Sequence, residues 1–253
     1  MTRPTARRTL REALSEAPFG LAMSSGFFGF FAHTGMLTAL LEADLVPVRV
    51  TGSSAGALVG GLWAAGLEPG QARAALEGLT RDAFWDPWPG AGILRGKKFR
   101  ALLEGLLPAG SFRETRVPFA ASVFDPFARR TVVVSEGALA PAIHASCAVP
   151  VMFQPVRIGR RFYVDGGVAD RPGLAGMPPG SRVFYHHLAS RSPWRARASM
   201  GIPVRPNLFA LAIRGLPRLS PFDLSLGPPA IDRAYARTRE ALERTLEDGL
   251  VNV

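Results

Sequence analysis

A serine between two glycines is the feature of this sequence that points most directly to chemistry. The segment VTGSSAG contains a G-x-S-x-G pattern in which Ser54 lies between Gly52 and Gly56. A predicted strand, Pro47–Thr51, comes directly before it, and a predicted helix, Ala55–Ala65, follows it. Such a strand-to-helix turn exposes a serine hydroxyl, and the free N–H groups of the helix N-terminus favour developing negative charge. We therefore predict that Ser54 is a nucleophile.

The simpler interpretation of the same residues is a helix cap. Ser53 or Ser54 would then accept a hydrogen bond from the first turn of the helix. A G-x-S-x-G pattern alone is common by chance, and Ser53 lacks the symmetric glycines that surround its neighbour. The position of the pattern between a strand and a helix favours the nucleophile at Ser54.

A glycine-containing loop earlier in the chain offers the oxyanion donors that a nucleophilic serine needs. The predicted strand Phe19–Ser24 runs into this loop, and a predicted helix, Phe30–Ala43, follows. Parallel strands bring their carboxyl ends to one edge of a sheet, so we expect the loop to lie beside the serine. The backbone N–H groups of Ser25, Gly26 and Phe27 are the candidate donors.

The same loop has an alternative interpretation as a phosphate or dinucleotide site. That fingerprint requires an acidic residue about 20 positions further on, at the end of a second strand, to bind the ribose. Asp44 stands near this distance, but it follows a predicted helix rather than a strand. The dinucleotide interpretation is therefore the weaker one.

The candidate general base is Asp165, which ends a short predicted strand, Phe162–Val164. Gly166 and Gly167 follow it directly. Taken alone, an Asp-Gly pair is a common hairpin turn. Taken together with Ser54, Asp165 becomes the leading candidate for the group that accepts the serine proton.

The four histidines leave a second catalytic arrangement open. His33 and His144 fall inside predicted helices and are expected to be packing residues. His186 and His187 come after the candidate base, so a serine–aspartate–histidine triad would have the chain order of an α/β-hydrolase. Against this, only one strand–helix unit precedes Ser54. The residues by themselves favour a dyad by a small margin.

In combination, these segments resemble the patatin-like phospholipase family. The early elbow, the glycine loop and the late Asp165-Gly166-Gly167 carry the likeness, as does the segment ASCAVP followed by FQP upstream of the aspartate. The resemblance runs from about Phe19 to the C-terminal helix. It implies an α/β fold with three αβα layers and a mostly parallel sheet. It also implies hydrolysis of lipid or phospholipid acyl esters by a dyad of Ser54 and Asp165.

The glycine loop departs from the pattern of that family, which is G-x-G-x-x-G. Ser24 replaces the first glycine, and Phe28 stands where the family often has a basic residue. A backbone donor can come from a serine as well as a glycine, so catalysis is still expected. The departure nevertheless keeps open a non-catalytic lipid- or protein-binding module on the same fold.

The composition of the chain excludes several other classes of protein. The chain has 253 residues, 47% of them hydrophobic, and we expect one domain over residues 19–253 after an N-terminal arm, residues 1–18. A single cysteine, Cys147, excludes a disulfide framework and a cysteine-rich zinc module. No metal-ligand spacing and no nucleic-acid motif occurs, so we predict neither a cofactor nor a nucleic-acid partner. Residues 17–41 lack charge, but serines and glycines interrupt them, which favours strand, loop and helix over a membrane span.

A basic segment follows the candidate base. The chain carries a net charge of +10, and residues 171–222 contain eight arginines and no acidic residue. Arg191, Arg195 and Arg197 surround Trp194 in a predicted loop. Arginines with an aromatic residue suit binding to anionic lipid. We therefore expect peripheral membrane contact, while a solvated surface loop is the alternative. The single cysteine indicates a reducing compartment, so we expect a cytoplasmic protein.

Overall fold

The fold is built on one large sheet, seen in a computed structural model that describes residues 8–188, 201–217, 219–247 and 249–253. Seven helices occur in these residues: α1 Leu10–Ser15, α2 Phe30–Glu42, α3 Ala55–Ala64, α4 Pro69–Glu77, α5 Lys97–Leu106, α6 Leu139–Ser146 and α7 Gly227–Leu242. The strands are β1 Gly20–Met23, β2 Arg49–Ser53, β3 Gly92–Leu94, β4 Phe119–Asp125, β5 Arg130–Val134, β6 Val151–Phe153, β7 Val156–Ile158, β8 Arg161–Asp165, β9 Val183–Leu188, β10 Leu208–Ile213 and β11 Leu250–Asn252.

The main sheet has the strand order β11-β10-β9-β1-β2-β4-β8-β7, and β5 pairs with β4. The strands from β11 to β4 are parallel, whereas β8, β7 and β5 are antiparallel to their neighbours. Helices alternate with the parallel strands, as the sequence pattern predicts for an α/β protein. The predicted α/β class with a mostly parallel central sheet is confirmed.

Strand register decides what meets at the edge of the sheet. Met23 at the end of β1 is level with Gly52 on β2, so the loops after both strands leave the same edge. Ser53 is level with Ser122 on β4, and the next residue of β4, Val123, is level with Asp165 on β8. Neighbouring strands are about 4.8 Å apart. The register therefore brings the ends of β1, β2 and β8 together.

The two faces of the sheet are covered differently. Side chains such as Leu21 and Phe184 point into a large apolar cluster with the helices, α1 included through Leu10 and Leu14. Alternate side chains, such as Tyr185, point to the opposite face, where the coil residue Met177 packs against them. Residues 8–18 of the predicted arm thus include a short helix whose apolar side joins the core.

Several elements depart from the prediction made on sequence. The sequence pattern predicts a C-terminal helix over Ala230–Glu247, whereas the helix in the structure is Gly227–Leu242 and a strand, Leu250–Asn252, follows it. Strand Leu208–Ile213 was also missed, because its apolar residues follow a region dominated by arginine and proline. The uncharged residues 17–41 form β1, a loop and α2, and none of the described helices meets the length and apolarity that a membrane crossing requires.

Candidate active site

Ser54 lies in a strained turn between β2 and α3. Its backbone has φ of 54° and ψ of −120°, a combination that side-chain-bearing residues rarely adopt. The Ser54 N–H donates to the Ser146 hydroxyl at 2.9 Å, and that hydroxyl donates to the Ser122 carbonyl oxygen at 2.7 Å. Strain of this kind persists only where surrounding contacts enforce it. The turn therefore has the strained strand-to-helix geometry that a nucleophile elbow requires.

The two glycines of the elbow, defined here as Gly52–Gly56, are required by close backbone approach. A Cβ atom on Gly56 would stand 2.5 Å from the Met23 carbonyl carbon, and one on Gly52 would stand 2.5 Å from the Ala57 nitrogen. Backbone atoms cannot move aside as the end of a flexible side chain can. The G-x-S-x-G spacing thus reflects packing of the elbow against β1 and against its own helix.

Asp165 ends β8 and is buried, with 2% of its surface exposed. Its carboxylate accepts a hydrogen bond from the Gly167 N–H at 2.7 Å, and its own N–H donates to the Ala148 carbonyl oxygen at 2.8 Å. The two glycines after it are tightly packed: a Cβ on Gly166 would stand 2.5 Å from the Ser122 carbonyl carbon. The Asp-Gly-Gly segment is therefore a buried turn at the sheet edge, not an exposed hairpin.

Cys147 interacts with both predicted catalytic residues, with Ser54 by a hydrogen bond and with Asp165 through charge. Its thiol donates to the Ser54 carbonyl oxygen at 3.3 Å. Burial, and after it the negative charge of Asp165, raises the pKa of this thiol well above its usual range. The elbow therefore contacts Cys147 directly, and Asp165 acts on the same cysteine through its charge. The high pKa keeps Cys147 a neutral thiol, as expected for a packing residue and not for a nucleophile.

The loop after β1, which we call the glycine loop (Ser24–Gly29), lies beside the elbow. The Ser25 N–H donates to the Arg171 carbonyl oxygen at 2.7 Å, so in this conformation it is committed to another acceptor. Within the described part of the chain, the N–H groups of Gly26 and Phe27 make no hydrogen bond. Gly26, Phe27 and Ser54 all line one cleft. Of the three predicted oxyanion donors, Gly26 and Phe27 therefore remain as candidates.

A pair of buried histidines supports the glycine loop from below. His33 Nε2 lies 2.8 Å from the Ser24 carbonyl oxygen, and His33 Nδ1 lies 2.8 Å from His186 Nδ1. A carbonyl oxygen can only accept, so His33 donates from Nε2, and its Nδ1 accepts from His186. Burial lowers the pKa of His33 to about 4. Burial, and after it the charges of His33 and His187, lowers the pKa of His186 well below its usual value. Both rings are therefore neutral near pH 7.

The two remaining histidines have partners of their own. His187 Nδ1 lies 3.0 Å from the Tyr185 hydroxyl, and burial lowers the pKa of His187 to about 4. His144 Nδ1 lies 3.2 Å from the Arg100 guanidinium, and burial lowers its pKa to about 3. These contacts favour packing roles for the histidines over a place in a triad.

Ser54 opens into an apolar cleft of about 880 Å³, including its mouth. The lining comes from the glycine loop, the start of α2, helices α3, α4 and α5, and residues 79–84 and 147–153. No charged side chain occurs among the described residues that line it, and the serine is the only hydroxyl. The cleft therefore suits a hydrocarbon chain rather than a polar ligand.

Some of these site residues lay beyond sequence reasoning. Arg171 holds the glycine loop from 146 positions away, and Ser146 anchors the elbow from 92 positions away. One sequence signal pointed to Ser146: it lies, with Cys147, in the segment upstream of Asp165 that resembles the family. Arg191, Arg195 and Arg197, the predicted lipid-binding residues, lie outside the described part of the chain.

The sequence is similar to known proteins. A sequence model described as patatin-like phospholipase matches residues 21–176. An uncharacterized NTE family protein of Mycobacterium tuberculosis is 34% identical over 165 residues, which are 64% of this chain and 46% of that protein. A second one from the same organism is 27% identical over 164 residues, or 63% of this chain and 28% of that protein. The chain thus spans less than half the length of these relatives.

A solved structure gives the same fold. VipD from Legionella pneumophila superposes with a TM-score of 0.64 over 89% of this chain and 67% of that one, at 15% sequence identity. This similarity concerns the fold alone. The family match covers more than half of the chain and includes the elbow, the glycine loop and the Asp-Gly-Gly turn. The chain therefore belongs to the patatin-like phospholipase family.

Proposed function

We propose that this protein is a serine acyl hydrolase that cleaves lipid or phospholipid acyl esters with a dyad of Ser54 and Asp165. The observation that carries the proposal is the strained Ser54 elbow, whose serine supplies the only side-chain hydroxyl among the described residues that line an otherwise apolar cleft. Asp165 is buried at the same edge of the sheet, and its negative charge acts on Cys147, the residue whose thiol donates to the Ser54 carbonyl oxygen. The family match supports lipid hydrolysis in general terms.

The proposed reaction has two halves. Asp165 accepts the Ser54 hydroxyl proton as the oxygen attacks the ester carbonyl, and the proton then passes to the leaving alcohol. The N–H groups of Gly26 and Phe27 stabilise the oxyanion of each tetrahedral intermediate. In the second half, water gives a proton to Asp165 and attacks the acyl-enzyme. The fatty acid leaves, and the proton returns to the serine oxygen.

The dyad is tested by substitution. We expect Ser54→Ala and Asp165→Asn each to abolish turnover of a nitrophenyl butyrate ester. His186→Ala and His187→Ala should leave most of the activity in folded protein, because these rings contact His33 and Tyr185. A histidine variant as inactive as Asp165→Asn, with an unchanged circular dichroism spectrum, would establish a triad in place of the dyad.

The second candidate function is a non-catalytic lipid-binding module, which the changed glycine loop keeps open. A fluorophosphonate probe reacts covalently only with an activated serine. We expect it to label the wild-type protein and not Ser54→Ala. A wild-type protein that stays unlabelled while binding lipid would favour the module.

We also propose peripheral binding to anionic membranes. Arg191, Arg195 and Arg197 would supply the charge. Exposed apolar side chains near the cleft support the proposal, with Phe27 53% and Val151 71% exposed. We expect sedimentation with vesicles that contain anionic phospholipid and not with neutral ones. Changing the three arginines together to serine, or adding salt, should weaken it by roughly 1 kcal/mol per arginine. Equal binding to both vesicle types, or none to either, would exclude electrostatic docking.

A further inference from the structure

A second apolar cavity adjoins the Ser54 cleft. Its empty space is about 440 Å³, including its opening to solvent, and six residues line both cavities: Phe30, Leu58, Leu62, Ala75, Leu76 and Leu106. The two spaces are therefore separated only by apolar side chains. We call the inner space the distal chamber; its own lining includes Val59, Trp63 and Leu67 from α3 and the turn that follows it.

The distal chamber is suited to hydrocarbon. No charged side chain occurs among the described residues that line it. The Thr34 hydroxyl, one of its few polar groups, donates to the Phe30 carbonyl oxygen at 2.9 Å within α2 and so is already satisfied. A polar ligand would find no buried charge to pair with, whereas an alkyl chain loses nothing by leaving water.

Helix α3 gives the direction and length of the path from the serine. Leu58 and Leu62 follow Ser54 by four and eight positions, so they lie on the same face of the helix. Eight residues of helix rise about 12 Å. An extended alkyl chain advances roughly 1.3 Å per carbon, the projection of a bond of about 1.5 Å. The stretch from Ser54 to Leu62 therefore accommodates about nine carbons.

We propose that the distal chamber is the terminal acyl-binding site, which selects long acyl chains by receiving their methyl ends. The inference rests on the proposed acyl hydrolase function. An acyl group shorter than about ten carbons would end within the cleft beside Leu62. A longer one would pass the shared wall and reach Trp63, which is 3% exposed. Ala72 lines only the distal chamber, whereas Ala75 lines both spaces.

The first experiment measures binding without turnover. Bromine quenches tryptophan fluorescence at contact, so ω-bromo octanoic, dodecanoic and hexadecanoic acids report where the chain end lies. We expect octanoic acid to leave Trp63 emission unchanged and hexadecanoic acid to quench it. Trp63→Phe should lose this length-dependent quenching, which assigns the signal among the four tryptophans of the chain. Equal quenching in Trp63→Phe would overturn the proposal.

The second experiment fills the chamber. Ala72→Phe should lower kcat/KM for nitrophenyl palmitate roughly tenfold or more, since even one methylene in an apolar pocket changes kcat/KM by about tenfold. The same change should leave kcat/KM for the butyrate ester unaffected. Ala75→Phe, at the shared wall, should lower the laurate rate as well. Ala74→Phe is the matched control, because Ala74 is exposed on α4 and lines neither space. An unchanged palmitate-to-butyrate ratio in Ala72→Phe would overturn the proposal.

The two proposals fail in different ways. Length-dependent quenching of Trp63 in a protein that hydrolyses no ester would refute the hydrolase and keep the chamber as a fatty-acid site. Hydrolysis of esters that shows no preference for chain length and no quenching would keep the hydrolase and refute the chamber.

Discussion

The elbow and the glycine loop leave neighbouring parallel strands at the same edge of the sheet, but different kinds of contact hold them. The elbow is fixed by backbone packed against backbone, as the approach of Gly56 to Met23 shows. In the glycine loop, a Cβ on Gly26 would instead stand 2.5 Å from Leu188 Cδ1, the end of a flexible side chain. The elbow is therefore rigid by steric exclusion, whereas the glycine loop can adjust.

Hydrogen bonds from distant residues complete the glycine loop. The Ser24 hydroxyl accepts from the Leu188 N–H at 2.9 Å, and the Arg171 guanidinium donates to the Leu188 carbonyl oxygen. The Arg171 carbonyl in turn accepts from Ser25. The comparison shows that close backbone packing against β1 and its own helix fixes the elbow, whereas hydrogen bonds and a flexible side chain hold the glycine loop. Substitutions in the two regions should therefore differ in severity.

The largest effect is expected at the elbow. Gly56→Ala should lower the free energy of unfolding by more than about 3 kcal/mol, because backbone overlap exceeds the roughly 1–3 kcal/mol of ordinary overpacking. Gly105→Ala is the control: Gly105 is exposed on α5 and its Cβ would meet nothing within 4 Å. That change should stabilise the protein by about 0.5–1 kcal/mol. Urea unfolding measures both, and a stable Gly56→Ala would refute the rigid elbow.

The next effect concerns catalysis at the glycine loop. Gly26→Pro removes one N–H donor, so kcat for a short ester should fall by about 10²–10³. Gly26→Ala adds a Cβ but keeps the donor, and Leu188 can turn away, so its loss should be less than about tenfold. Steady-state kinetics of the two variants separates the donor from the added bulk. Near-full activity in folded Gly26→Pro would show that the Gly26 N–H is not an oxyanion donor.

Acid should lower the stability of the protein through the buried histidines that support the glycine loop. Below pH 6.5, a histidine in the unfolded chain becomes protonated. Buried His33 stays neutral until the pH reaches about 4, because burial lowers its pKa. The free energy of unfolding should therefore fall with pH in this window, by up to about 1.4 kcal/mol per unit for each such histidine. Above pH 7 the effect is absent. His33→Gln should have a shallower slope in urea titrations between pH 6.5 and 4.5, and an unchanged slope would contradict the assignment.

The smallest effect is expected at the anchor of the elbow. Ser146→Ala removes the oxygen that accepts from the Ser54 N–H and also the donor to Ser122. A buried donor without its partner costs about 1–3 kcal/mol, so stability should fall by that amount while the elbow keeps its shape through its glycines. Ser146→Thr retains the hydroxyl and should recover part of the loss. A large fall in kcat without a fall in stability would mean that the hydrogen bond, not the glycines, positions Ser54.

The sequence alone determined the elbow, because that motif is local. Five consecutive residues specify the strand end, the turn and the helix start, and the same holds for the Asp165 turn with its two glycines. The alternating strands and helices likewise predicted the α/β class. These signals are short residue patterns that can be recognised in the chain, although the contacts that require the glycines, such as Gly56 with Met23 and Gly166 with Ser122, form only in the fold.

Only the tertiary structure decided which groups surround Ser54. The Ser25 N–H fits the predicted oxyanion hole by position, but it is bound by Arg171, which parallel strand packing brings from 146 positions away. The distal chamber likewise joins residues of α2, α3, α4 and α5, and no local pattern contains it. Hydrogen bonds and cavities depend on which distant segments pack together, and side-chain type and spacing along the chain do not encode that directly.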